Sequence, residues 1–548
     1  MRSRAFIALA ALGGALVSGG WLLQRGLERG TGTYARARLF DDVMQHVERD
    51  YVDSIPESEL YVRATSGMVD ELHDPHSVYL TPDRLRKLNE STSGTYVGLG
   101  VQIDVRDGWI TIISPLPGTP AERAGIQPGD QIVAVNGKST EGWTPDEARD
   151  ALRGPPGSTV NILVERPGVD ARLPFTVARA DIHVTSVRHP MMLTDRVGYV
   201  DLTIFSESSE DELRNAIAAL RRRGMKTLIF DLRSNPGGLL DQGVSISDMF
   251  LDAGDRIVSM RGRAPGSTRE FTDDARQLWP DLDLITLVDD HSASAAEIVA
   301  GALQDHDRAV ILGSTTYGKG SAQSVFPLSD DAGALKLTTA RWYTPSGRSI
   351  QKERPDTASD DDDDVDGAPQ PEDSAAEAPL SQRKAYRTDA GRVVYGGGGI
   401  TPDLIIASED SAAGMLAFWR ALGKDIPSFR DALTETALAV KASKQVSSPD
   451  FTVTPQLRAD LWSRMRKKGI ALDRASFDSA SAAIDRLLAY EIDRYVFGTD
   501  AEFRRRAKDD RVIRSALDLA AVGTTQRALL DRAAALRAAK HEDVPHKS

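Results

Sequence analysis

At 548 residues, 41% hydrophobic and 27% charged, the chain is long enough for several globular domains, each with a core of its own. Its net charge of −13 is uneven: ten acids and no base fall between Pro355 and Gln382, so the remainder is near neutral and has no nucleic-acid footprint. The absence of cysteine excludes disulfides, thiolate catalysis, Cys-ligated zinc and a lipoprotein anchor.

The chain opens with Met1-Arg2-Ser3-Arg4 and then runs uncharged from Ala5 to Leu23. A positive flank before an apolar run is an export signal, here residues 1–24. Val17-Ser18-Gly19 offers a small-residue cleavage point, while the run is nearly long enough to span a bilayer uncleaved. The expected location is the cell envelope, on the periplasmic side, either anchored in the inner membrane or released.

Residues 34–90 read as helices. Leu39, Val43, Met44 and Val47 carry the stripe of an amphipathic helix over Ala35–Tyr51, and Leu60–Leu72 repeats it. In His73-Asp74-Pro75-His76 the proline favours a turn over a metal site, and no metal is expected. Thr81-Pro82-Asp83 starts a short helix by N-cap and proline at N1.

From 91 to 182 the texture becomes short strands with glycine turns. Gly98-Leu99-Gly100-Val101 precedes Trp109–Ile113, then Ala124-Gly125-Ile126-Gln127-Pro128-Gly129-Asp130-Gln131-Ile132, a helix at Pro145–Leu152 and a strand at Val160–Val164. This order resembles a PDZ domain in the circularly permuted form of bacterial proteases. The resemblance implies capture of a peptide C-terminus: the loop Gly98, Leu99, Gly100 and Val101 would offer N–H groups to a carboxylate, and the peptide would add as a strand. Arg153, just after the helix, is a candidate contact for peptide or gate, although a lone arginine there is more often a solvated charge.

From 183 to 408 strands and helices alternate, which predicts an α/β layer with buried parallel strands. The strand Val197–Leu202, an amphipathic helix over Ser209–Arg223 and the strand Thr227–Leu232 lead to Asp231-Leu232-Arg233-Ser234-Asn235-Pro236-Gly237-Gly238, at a strand's carboxyl end where α/β sites are placed. The spacing of a dinucleotide loop is missing, and no cofactor is expected. The segment 355–382 reads as a disordered acidic insertion, and Tyr386–Val394 as strand-like. Residues 409–548 read as helical, with one apolar stripe at Ile484, Leu487, Leu488, Ile492, Tyr495 and Val496 that suits a core or a partner surface.

The chemistry concentrates between Leu284 and Gln323. A buried strand at Leu284–Val288 meets Ser292-Ala293-Ser294-Ala295-Ala296-Glu297-Ile298, where a helix begins with its acid in the first turn. A hydroxyl at such a junction lies near unpaired N–H groups, so a nucleophile and an oxyanion site can be built together. After the strand Ala309–Gly313, Lys319 stands between two glycines; it can act as a base only when neutral, which needs burial or a positive field. Ser294 and Lys319 read as a catalytic pair, with Ser292 as a rival nucleophile and His291 or His306 as the histidine of a rival triad.

These residues, with Asp231–Leu240 and Ile400-Thr401-Pro402-Asp403 in the same order, resemble the carboxyl-terminal processing peptidases, a tail-specific serine protease family. The resemblance covers roughly residues 35 to 405. It implies Ser294 as nucleophile, Lys319 as general base, Gln323 as the residue orienting the lysine, and oxyanion donors from the backbone of Gly238 and Ala295. Asp289 and Ala296 depart from the Asn and Ser common at those points. The expected fold is multidomain α+β: a PDZ β-sandwich or barrel-like domain beside an α/β (ClpP/crotonase-like) Ser-Lys peptidase core, with helical N- and C-terminal regions. The expected function is an exported serine endopeptidase acting through an acyl-enzyme on proteins with accessible apolar C-termini. The competing expectation is a PDZ scaffold whose peptidase core is inert or adaptor-dependent. An adaptor protein and a homo-oligomer through the C-terminal helices are the further partners considered.

Overall fold

A computed structural model describes residues 34–329, 332–352, 382–406, 413–523 and 525–542. The export segment 1–24 and, but for Gln382, the acidic segment 355–382 lie outside them. The chain divides into two compact units, one holding the residues up to Leu85 together with Gln323–Thr338, the other Arg86–Ala322 with Thr339 onward. Among the described residues no helix is long and apolar enough to cross a membrane.

In the smaller unit, helices span 34–50 and Glu57–Asp70, and the strand Val78–Leu80 pairs antiparallel with residues 334–336. That short strand is absent from the sequence reading, because three residues carry no readable period. The His73–His76 segment is a turn closed by Asp74, which accepts from Ser77 Oγ at 2.6 Å and from the His76 N–H at 3.2 Å.

The larger unit begins with the PDZ module. Strands β1 (Val101–Arg106), β2 (Trp109–Pro115), β3 (Gln131–Val135), β4 (Thr159–Glu165) and β5 (Leu173–Ala178) form an antiparallel sheet in that order. Helix α1 (Pro145–Leu152) closes the module; Thr144 and Glu147 exchange side-chain and backbone bonds at its start, satisfying two orphan N–H groups. Ile110, Ile112, Ile132, Val160 and Ile162 are its core. β1 is an edge strand, so its outer hydrogen-bonding groups remain open to an added strand.

The peptidase core is a six-stranded sheet: β6 (Val187–Met192), β7 (Val197–Leu202), β8 (Thr227–Asp231), β9 (Asp283–Val288), β10 (Val310–Gly313) and β11 (Leu404–Ile405), in that order. Only the β6–β7 pair is antiparallel. Every residue of β8 is buried, as a parallel strand covered on both faces requires. One face packs on α2 (Ser209–Arg222), α3 (Leu240–Asp248) and α4 (Ala295–Asp305) through Leu213, Ile217, Ile246, Ile298 and Leu303. Tyr386–Val394, expected as one strand, is a hairpin of Ala385–Arg387 and Val393–Tyr395, because Thr388 and Gly391 turn the chain between them.

The C-terminal helices complete the unit. Val512, Ile513, Ala516, Leu519, Leu529 and Leu530 cover Tyr199, Ile229, Ile285, Leu287 and Leu312 on the second face of the core sheet. The stripe read at Ile484, Leu488 and Ile492 is consumed inside a helical core shared by α5 (Ile426–Ser443) and α6 (Ser481–Phe497), which also takes Ile113 of the PDZ module. Lys441 Nζ donates to Pro128 O at 3.0 Å, and Arg430 pairs with Asp104 at 2.8 Å, fixing the module to α5.

Candidate active site

Ser294 caps α4 with φ 54° and ψ −114°, a conformation that L residues rarely adopt. Such strain persists only where neighbours over-determine it, and they do. A Cβ at Gly237 would lie 2.8 Å from Ser294 Cβ and 2.9 Å from Ala295 N, so the Gly237-Gly238 turn abuts the serine. Asn235 builds that turn: its Oδ1 accepts from Gly237 N–H at 2.8 Å and its carbonyl from Ala293 N–H at 2.9 Å. Among the described residues no hydrogen bond from the Gly238 or the Ala295 N–H to a protein acceptor is recorded.

Lys319 is tied to the same corner through its backbone. Its N–H donates to Glu297 Oε2 at 3.0 Å, and its carbonyl accepts from Trp342 Nε1 at 3.1 Å. Glu297 is the residue that sequence reasoning left undervalued, as an acid suited to a helix's first turn. It is fully buried, and its Oε2 also accepts the Ser294 N–H at 2.9 Å. Its Oε1 takes Thr316 Oγ1 at 2.5 Å and the Gly318 N–H at 2.7 Å. One carboxylate therefore fixes the backbone of both Ser294 and Lys319. Burial pushes its pKa up to about 7, against the four donors, which hold it down. An available signal was the company it keeps: every residue of α4 is buried, so its acid had to turn inward.

The rivals occupy other places. Ser292 is buried, and its Oγ donates to Leu232 O at 2.8 Å while accepting the Asp289 N–H at 2.9 Å. His306 caps the far end of α4 from Ser294, about 16 Å away along eleven residues, with both ring nitrogens engaged by Asp389 and Arg256 O. His291 faces Asp290 at 2.9 Å. Asp289, one of the two departures, accepts the Ser234 N–H at 2.8 Å and the His291 N–H at 3.1 Å. Gln323 belongs to the smaller unit, where its Nε2 donates to Thr338 Oγ1 at 3.1 Å.

Asp231, at the end of β8, accepts the Tyr199 hydroxyl at 2.7 Å and the Arg233 guanidinium at 2.6 Å. Arg233 also reaches Asp510 at 2.8 Å, and Asp510 caps α7 (Arg511–Val522) through the N–H groups of Val512 and Ile513. The active-site sheet is thereby pinned to a helix 277 residues further along the chain. Asp289, Asp290 and His291, and separately Asp248, Asp273 and Asp274, bring ligating atoms within 4.8 Å of one another.

In the PDZ loop, Leu99 is buried and its carbonyl accepts the Ala121 N–H at 2.9 Å. Gly100 has φ +79°, and a Cβ there would lie 2.3 Å from Thr119 Cβ, so only glycine fits. Arg153 is no solvated charge: it pairs with Glu90 at 2.7 Å, both side chains 22% exposed, and lies over the Tyr96 ring.

The model of peptidase family S41 matches residues 196–359, and that of the PDZ domain matches residues 111–166. A carboxy-terminal-processing protease of Bartonella bacilliformis is 40% identical over 323 residues, 58% of this chain and 73% of that protein. The carboxy-terminal processing protease CtpA of Bacillus subtilis is 36% identical over 308 residues, 56% of this chain and 65% of that one. The solved photosystem II D1 C-terminal processing protease is 28% identical, with a TM-score of 0.33 over 57% of this chain and 89% of its own. The chain therefore belongs to the carboxy-terminal processing serine proteases of peptidase family S41, and carries their PDZ domain.

Proposed function

We propose that Ser294 is the nucleophile and Lys319 the general base of this protease. The supporting observation is the buried Glu297 carboxylate, whose one oxygen accepts the backbone N–H of both residues. In this reading neutral Lys319 takes the Ser294 hydroxyl proton as Oγ attacks the scissile carbonyl. The oxyanion forms against the N–H groups of Gly238 and Ala295. Collapse breaks the peptide C–N bond, and the lysine gives its proton to the departing amine. Water then attacks the acyl-enzyme with Lys319 again as base, releasing the acid and restoring Ser294.

Substrates are proteins, and the PDZ module binds peptide C-termini. The finer reading is that Gly98, Leu99, Gly100 and Val101 take the terminal carboxylate, with an apolar tail added along β1 beside α1, and that Arg153 is the adjoining contact. The export segment supports action in the cell envelope, on the periplasmic side.

The deciding experiment incubates purified protein with a protein bearing an apolar C-terminal tail, beside a Ser294→Ala control. Cleavage by the unsubstituted chain alone, with acyl-enzyme trapped on Ser294 by mass spectrometry, is the expected result. Equal absence of cleavage in both, with tail binding retained, selects the scaffold reading.

A further inference from the structure

Helix α3 leaves the Gly237-Gly238 turn with Leu239 as its N-cap and ends at Asp248. Its first turns pack on the serine-bearing helix: a Cβ at Gly243 would lie 3.2 Å from Ala295 Cβ. Its other end meets a hairpin in which the strand Arg269–Thr272 pairs antiparallel with Arg256–Gly262. The chain leaves that hairpin through Asp273 and Asp274. One oxygen from each of these and one from Asp248 lie within 4.8 Å of one another.

Asp273 is only 3% exposed. Its backbone is fixed, the N–H donating to Asp255 O at 2.8 Å and the carbonyl accepting the Gly254 N–H at 2.9 Å. Its Oδ1 accepts the Ala275 N–H at 2.8 Å, but its Oδ2 is buried with no hydrogen-bond partner. Among the described residues, no lysine or arginine forms an ion pair with any of the three aspartates. A buried carboxylate is ordinarily hydrogen-bonded, paired with a cation or bound to a metal. Here its neighbours are two more carboxylates, and Asp248 stands at the negative end of the α3 dipole. Everything that surrounds the open oxygen asks for positive charge.

Three aspartates, without nitrogen or sulfur donors, suit a hard cation. Calcium holds its oxygens at about 2.3–2.6 Å and so can span atoms this far apart, in an irregular shell completed by water. Asp248 is half-buried and Asp274 exposed, which gives the ion a way in and leaves room for that water. Magnesium demands shorter, near-octahedral bonds and sheds its water reluctantly, a poorer match to a fixed group of carboxylates.

We propose that Asp248, Asp273 and Asp274 form a calcium site that ties the C-terminal end of α3 to the end of the Arg256–Thr272 hairpin. The ion is structural. It takes no part in peptide hydrolysis and holds the far end of the helix that begins at the Gly237-Gly238 turn.

The test uses the full chain carrying Ser294→Ala, which prevents self-cleavage, stripped with a chelator and then freed of it. Millimolar calcium chloride is expected to raise the Tm by about 3 °C or more. Asp273→Asn, whose amide oxygen can still accept the Ala275 N–H, should abolish that rise. Asp274→Asn, at an exposed position where folding is not at stake, should weaken calcium binding at least about tenfold in a calorimetric titration. Magnesium at the same concentration should give less than about a third of the calcium rise. No rise with calcium in the parent overturns the site and leaves the carboxylates sharing a proton. An equal rise in Asp273→Asn, or unchanged affinity in Asp274→Asn, overturns it by putting the ion elsewhere, such as on the acidic segment 355–382. A magnesium rise as large as calcium's overturns the assignment to calcium.

Discussion

Two regions of this protein are each organised around one acidic side chain, and they close the arrangement differently. In the peptidase core Ser294, Gly318 and Lys319, with the Thr316 hydroxyl, converge on the buried carboxylate of Glu297. In the PDZ module Glu90 pairs with Arg153 at 2.7 Å, and that guanidinium lies over the ring of Tyr96. The first acid is fully buried and matched by four donors. The second is partly exposed and has a single arginine as its partner in that stack. One acid holds backbone; the other holds a stack of side chains.

The comparison breaks most visibly if the geometry held by Glu297 serves no chemistry. Ser294→Ala and Lys319→Ala should each lower kcat on a tailed substrate by at least about 10³-fold with the Tm little changed; near-normal turnover in either removes the dyad. Glu297→Gln puts an NH₂ group among four donors and should cost about 10²-fold in kcat, with a lower Tm. Glutamine activity equal to that of the unsubstituted chain would show that the carboxylate positions nothing.

The charge on Glu297 gives the same comparison a pH axis. Its pKa of about 7 in the fold exceeds its ordinary 4.5, so protonation favours the folded state; that contribution is full below 4.5 and is lost as pH rises through 7. Activity should move oppositely, kcat rising through about pH 7 as the carboxylate ionises and engages its donors. An activity profile flat from pH 5 to 8 contradicts this. At the PDZ end, Gly100→Ala meets Thr119 and a left-handed φ, so tail binding should fall at least about tenfold while hydrolysis of a short tail-free peptide persists. Smallest is Asp510→Ala, which loses a helix cap and one arm of Arg233, for about 1–2 kcal/mol by chemical denaturation.

Much of this was legible beforehand because it is local. The boundaries of α1 follow from Thr144-Pro145 and the helix-forming run behind them, and β7 from its apolar residues alone. Ser294 and Lys319 stood out because a hydroxyl at a strand-to-helix junction and a glycine-flanked lysine are recognisable in one dimension. Glu297 was visible but misjudged: helix-dipole reasoning explains an acid in a first turn, and only the burial of its neighbours shows that it must face inward. The Tyr96–Arg153–Glu90 stack and the Arg233–Asp510 pair had no local signal, since each joins residues far apart in the chain. The apolar runs Leu228–Phe230 of β8 and Leu284–Val288 of β9, broken only by Thr286, did carry an unused hint: strands buried on both faces require a second covering layer, and the C-terminal helices supply it.

That second layer has a consequence for the order of events during synthesis. Tyr199, Ile229 and Ile285 are translated hundreds of residues before Val512, Leu519 and Leu529, which shield them. Until those helices emerge, one face of the active-site sheet is bare, and Arg233 lacks its Asp510 partner. The catalytic motifs are thus complete in the nascent chain long before the sheet that aligns them is. The sheet's second cover therefore waits on residues far downstream of the motifs it supports.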